Sequence, residues 1–149
     1  MMKLLLLLVF VSLSMQFQAK RKLTQDEIRA ANKKCLKNSG MDSGVVKNII
    51  SLDTFPKPSD KYFKYLECMY FDQGYLDSDG LISYETIEDF ILDFYDVDTV
   101  KQALEPCVVL QEGQNGGERA YNAAKCLIQN LEALEKRYEK QNKNADNTT

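Results

Sequence analysis

The chain of 149 residues contains no histidine and no tryptophan. Without histidine, Ser-His-Asp and Cys-His nucleophile systems, imidazole-ligated metals and a general base titrating near neutrality are all excluded. Carboxylate pairs remain as acid–base candidates, but the acids stand mostly at helix starts and on polar helix faces, where solvated charge accounts for them. The sequence therefore reads as a non-enzyme, with no catalytic residue, no metal and no cofactor. A sustained basic stripe is also missing. With 19 Lys and Arg against 22 Asp and Glu, the net charge of −3 argues against nucleic acid as a partner.

Long apolar runs are absent except at the start. Met1-Met2-Lys3 leads into an apolar stretch from Leu4 to Met15, and Gln16 and Gln18 end it. A membrane span needs about 20 apolar residues, so this run is too short and no membrane partner is expected. A basic start, a short apolar middle and a small residue at Ala19 make residues 1–19 a secretory signal peptide. Cleavage after Ser14, with Ser12 two places before it, is the alternative cut. Removal after Ala19 leaves 130 residues with a net charge of −4, enough for one secreted, extracellular domain.

Four cysteines remain: Cys35, Cys68, Cys107 and Cys126. No close Cys-x-x-Cys pair exists to hold zinc. An even count in an oxidising compartment reads as two disulfides, and counting alone leaves three pairings open.

What is present is helical periodicity. Thr24-Gln25-Asp26-Glu27 is a capping box, and Ile28, Ala31 and Cys35 follow at helical spacing, predicting a helix over about 24–38. Asp42 or Ser43 opens a second, to about Ile50, burying Val45, Val46, Ile49 and Ile50. The Asp53–Pro58 stretch is a stiff connection, because each proline biases its predecessor toward extended geometry. Ser59-Asp60 starts a third helix through Tyr62, Tyr65, Leu66 and Met69. After a Gly74–Gly80 loop, Ser83 caps a fourth through Ile87, Phe90, Ile91 and Phe94. Asp98 opens a fifth, with Val100, Ala103, Leu104 and Cys107 apolar and Pro106 expected to kink or restart it. The last runs from about Glu118 to near Lys140, its apolar face carrying Ala120, Ala123, Ala124, Leu127, Leu131 and Leu134. Residues 20–140 thus form one all-α, six-helix domain, and 141–149 are expected to be a disordered polar tail.

Two motifs have plain explanations. Aligning Gly74–Ile82 with a calcium loop puts Tyr75 at the first ligand position and Thr86 at the last, which removes both anchoring carboxylates. Asn147-Thr148-Thr149 fits the glycosylation pattern, but at the end of a tail. Eight tyrosines and seven phenylalanines make a ring-rich core, of a kind that can enclose an apolar cavity.

The cysteine positions carry a family resemblance. In the insect odorant-binding proteins six cysteines stand in fixed order, the second and third four apart on the third helix and the fifth and sixth nine apart on the last. Here Lys64-Tyr65-Leu66-Glu67-Cys68 has lysine at the second position, and Gly117-Glu118-Arg119-Ala120-Tyr121 leads to Cys126 with glycine at the fifth. The two missing cysteines are partners in the family, so the chain resembles its minus-C, four-cysteine subgroup. The resemblance implies a compact six-helix domain with an internal apolar cavity and Cys35–Cys68 and Cys107–Cys126 bridges. In the chain-entropy model each bridge stabilises by roughly 3–4 kcal/mol. It also implies a secreted carrier of odorants, pheromones or similar hydrophobic molecules, with an odorant receptor as a further partner. Its alternatives are a salivary or haemolymph sequestering protein for amines, eicosanoids or lipids, and a ligand-independent interaction module.

Given such a cavity, periodicity selects Tyr65, Met69, Ile87, Phe90 and Ile91 as lining from the middle helices. Leu104, Val108, Ala123 and Leu127 join them from the last two, with Tyr65 and Tyr121 as polar handles. Loss of the bridge between the third and last helices predicts a more mobile cavity wall.

Overall fold

The computed structural model describes residues 21–50, 55–108 and 111–146. The signal peptide expected at 1–19 and the Asn147 acceptor pattern lie outside them. Six helices appear among these residues: α1 (Gln25–Ser39), α2 (Ser43–Ile50), α3 (Asp60–Gln73), α4 (Tyr84–Ile91), α5 (Val97–Val108) and α6 (Gly116–Asp146). The fold is all-α. Leu76 and Ile82 form an isolated antiparallel bridge, and no strand extends from it.

Local chemistry sets most helix ends. Thr24 Oγ1 accepts from Glu27 N while Glu27 Oε2 accepts from Thr24 N, so the capping box is complete. Gly40 and Gly74, both at positive φ, end α1 and α3. Three ends differ from expectation. Ser83 does not cap α4, because its hydroxyl pairs with Thr86 Oγ1 instead of a backbone N–H. The fifth helix starts from Asp96 rather than Asp98: Asp96 Oδ1 accepts from the Asp98 and Thr99 amides. Asn115 caps α6, its Oδ1 accepting from Glu118 N, which moves the start forward to Gly116.

Pro106 does not break α5. It stands in the final turn, which the Cys107–Cys126 bridge and the bond from Asn130 Nδ2 to Ala103 O tie to α6. At the other end of the chain α6 continues helically through 141–146, where a disordered tail was expected.

The core lies between α3 and its neighbours. Tyr62, Tyr65, Leu66 and Met69 are buried on α3, Ala31 and Cys35 on α1, and Ala120, Tyr121 and Ala123 on α6. Ile87 and Ile91 of α4 and Val100 and Leu104 of α5 complete it. On α2 Val46 is buried, Val45 is exposed, and the Ile49 and Ile50 side chains lie outside the description. Cys35 is bonded to Cys68, joining α1 to α3, and Cys107 to Cys126, joining α5 to α6.

The most extensive helix contact is between α3 and α6, the pair that lacks a bridge. A Cβ placed on Gly117 would lie 2.5 Å from the Phe63 carbonyl oxygen and 2.8 Å from its carbon. The α6 backbone therefore rests directly on that of α3. Where the sequence lacks the third bridge, the two helices meet through a glycine-dependent backbone contact.

Candidate functional site

Helix α4 is amphipathic in two directions. Ile87 and Ile91 turn inward, while Phe90, one step off that stripe, stays 38 % exposed. Four residues on, in the turn after α4, Phe94 comes onto the same side, its ring 5.3 Å from that of Phe90. Tyr75, placed by the bridge that closes the Asp77–Gly80 turn, continues the row, 5.9 Å from Phe90 and 5.6 Å from Tyr70. The rings of Tyr75, Phe90 and Phe94 form one wall of a cleft of about 340 Å³, with Tyr70 behind Tyr75.

The opposite wall is the segment before α1. Leu23 and Ile28 give it an apolar surface, and Arg21 and Lys22 stand at its edge. Lys22 Nζ donates to Asp89 O at 2.9 Å and to Asp93 Oδ2 at 2.7 Å, strapping the segment across to α4. Arg21 pairs with both carboxylate oxygens of Glu27, which together with the cap amide holds that carboxyl down at about 2. Burial, and secondarily the charge of Asp93, push the Tyr75 phenol up to about 12. Two wider grooves, of about 480 and 520 Å³, are more open to solvent, and would bury less of a ligand.

The residues selected from the sequence divide sharply. Phe90 lines the cleft. Tyr65, Met69, Ile87, Ile91, Leu104 and Ala123 are buried among other side chains, Leu127 is partly buried against them, and none lines any of the three hollows. Val108 ends α5 half-exposed, one position past the buried, bridged Cys107, and lines none of the three hollows. Both expected polar handles are engaged within the chain. Tyr65 donates to Asn32 Oδ1 at 2.8 Å, and Tyr121 to Pro56 O at 3.0 Å.

Around them, Phe55, Tyr62 and Phe63 meet Tyr121 edge-on at 5.0–5.8 Å, and Tyr62 stacks on Tyr65. These rings form a contiguous aromatic cluster beside Tyr121. Sequence reasoning missed Lys22, Tyr75, Asp93 and Phe94 as lining. The Phe90–Phe94 spacing of four, off the Ile87–Ile91 stripe, was the available signal.

Among the described residues one metal-type cluster occurs, Cys35, Cys68 and Asp72. Its sulfurs are joined to each other and its carboxylate pairs with Lys34, so it has no free donor set. Asp77 Oδ1 accepts from the Asp79 and Leu81 amides, an Asx turn within the loop.

The chain matches the PBP/GOBP family over residues 18–130. It belongs to that family. These are the odorant-binding proteins, small-ligand carriers and not enzymes, and two disulfides fit the four-cysteine subgroup. Members bind small hydrophobic ligands and are secreted. The structure titled fatty acid binding protein OBP56a, from the oral disk of the blowfly Phormia regina, has a similar fold. Its TM-score is 0.58 at 16% identity, covering 76% of this chain and 98% of that one. No curated protein sequence matches. No helix among the described residues is long and apolar enough to cross a membrane.

Proposed function

We propose that this member of the odorant-binding family is a secreted carrier of small lipophilic molecules (odorants, pheromones or chemically similar compounds). Its ligand lies in the cleft between the 21–28 segment and the Tyr75–Phe90–Phe94 wall. The observation that carries this reading is the ring-walled hollow of about 340 Å³ lined by Tyr75, Phe90 and Phe94.

Binding is driven by removing apolar ligand surface from water, about 0.8 kcal/mol per buried CH₂, so an eight-carbon chain gains roughly 6 kcal/mol before the costs of association. Ile87 and Ile91, buried on the inner side of α4, anchor the helix that presents Phe90. The similar blowfly protein, titled as a fatty acid binder, makes medium-chain lipophiles the first ligands to test.

The test is displacement of a fluorescent apolar probe, paired with native mass spectrometry. Eight-carbon lipophiles should compete at micromolar concentration, and Phe90→Ala should weaken them. Binding that ignores Phe90→Ala and Phe94→Ala would move the site elsewhere, and no binding at all would end the carrier reading for this cleft.

A further inference from the structure

The cleft contains a seat for a positive charge. The Lys22 ammonium sits on two acceptors, the Asp93 carboxylate at 2.7 Å and the Asp89 carbonyl at 2.9 Å, at the mouth of an aromatic-walled hollow. This is a bound ammonium group, supplied here by the chain itself.

Charge balance gives the seat a direction. Four charged residues line the cleft: Arg21, Lys22, Asp89 and Asp93. Arg21 is neutralised by Glu27, which lies outside the lining. Lys22 balances Asp93, and no described residue forms an ion pair with the Asp89 carboxylate. The lining is therefore short of one positive charge even with Lys22 in place, and short of two when Lys22 leaves. The Asp93 charge reaches the ring wall, as its effect on the Tyr75 phenol shows. Ring faces themselves attract cations.

The geometry points to a lipophilic ammonium ion as the preferred ligand of this cleft, its chain against Phe90 and Phe94 and its head displacing Lys22 from Asp93. This rests on the carrier reading and names the ligand class for the same site. Asp89 and Asp93 are solvent-exposed, so the head keeps part of its hydration while the chain is buried, the disposition that costs a charged amphiphile least. A carboxylate head would meet two like charges and find both cations already paired.

The experiment uses three ligands of equal chain length at pH 7: octylamine, octan-1-ol and octanoate, each displacing the apolar probe from the whole protein. Octylamine should bind about fivefold more tightly than octan-1-ol, as expected for exposed ion-pair and cation–π contacts, with octanoate weakest. Asp93→Asn and Asp89→Asn should each lower the octylamine-to-octan-1-ol affinity ratio, circular dichroism confirming the fold. Lys22→Met, which removes the tethered competitor, should raise the octylamine-to-octan-1-ol affinity ratio by roughly two- to fivefold, whatever loss of the strap does to both ligands. Octanoate binding as well as octylamine, equal losses for all three ligands in Asp93→Asn, or a lower octylamine-to-octan-1-ol ratio in Lys22→Met would each overturn the inference while leaving the carrier reading intact. If none of the three competes, both fail.

Discussion

Replacing Gly117 with alanine tests whether α6 is held on α3 by close backbone contact. The added Cβ would sit 2.5, 2.8 and 2.9 Å from the oxygen, carbonyl carbon and Cβ of Phe63. Two of these are backbone atoms in the interior of α3, so relief requires the helices to move apart. Overpacking of this kind costs about 1–3 kcal/mol. Alanine returns up to about 1 kcal/mol of helix propensity, less here because Gly117 is the second residue of α6. The net expectation is a loss of about 2 kcal/mol, read as a fall in Tm of roughly 5–10 °C for a domain of this size. Urea unfolding should show a lower midpoint with an unchanged slope. Gly116→Ala is the internal comparison. Its nearest obstacles are side-chain atoms, Glu67 Oε1 at 2.7 Å and Leu76 Cδ2 at 2.9 Å, and Glu67 is exposed and free to swing, so the loss should be smaller. A neutral or stabilising Gly117→Ala, or a Gly116→Ala that costs more, would refute the reasoning.

Other expectations follow from the same geometry. Thr24→Ala removes the acceptor for Glu27 N and should cost about 1 kcal/mol in thermal unfolding. Glu27, held at about 2 first by Arg21 and then by Thr24, contributes stability that is complete above its ordinary value of 4.5 and is lost as pH falls from there toward 2. Glu27→Gln should flatten the acid limb of a stability–pH curve in that window, and an unchanged limb would count against the pairing. Phe90→Ala should weaken lipophile binding with little effect on Tm, whereas Ile87→Ala, in the core, should cost about 2–5 kcal/mol. Ligand affinity should be flat between pH 7 and 6, because the chain has no histidine and the Tyr75 phenol ionises only near 12. A halving across that unit by isothermal calorimetry would contradict it.

The helices were legible because their signals are local. A capping box, αL glycines and apolar residues three and four apart act within a turn or two, so α1 to α3 begin and end within a residue or two of expectation, while α4 stops at Ile91, three residues short of Phe94. The cysteine spacing likewise carried the family resemblance. Asp96 and Asn115 escaped notice because several polar residues near each helix start could cap it, and the choice falls to whichever side chain meets the free N–H groups.

The binding cleft was not legible. Periodicity marks which side chains leave water, but Tyr65 and Ile87 look alike whether they face a guest or another ring. That distinction depends on how far apart the helices stand, and helix separation is a sum over contacts distant in sequence. Gly117 against Phe63 sets α6 on α3, and Tyr121 meets Phe55 of the connection before α3; Lys22 reaches 71 residues along the chain to Asp93 at the edge of the cleft. The order of residues determined six helices and their buried stripes. Only their assembly decided which face was left open, because a hollow belongs to the spacing between elements and not to any one of them.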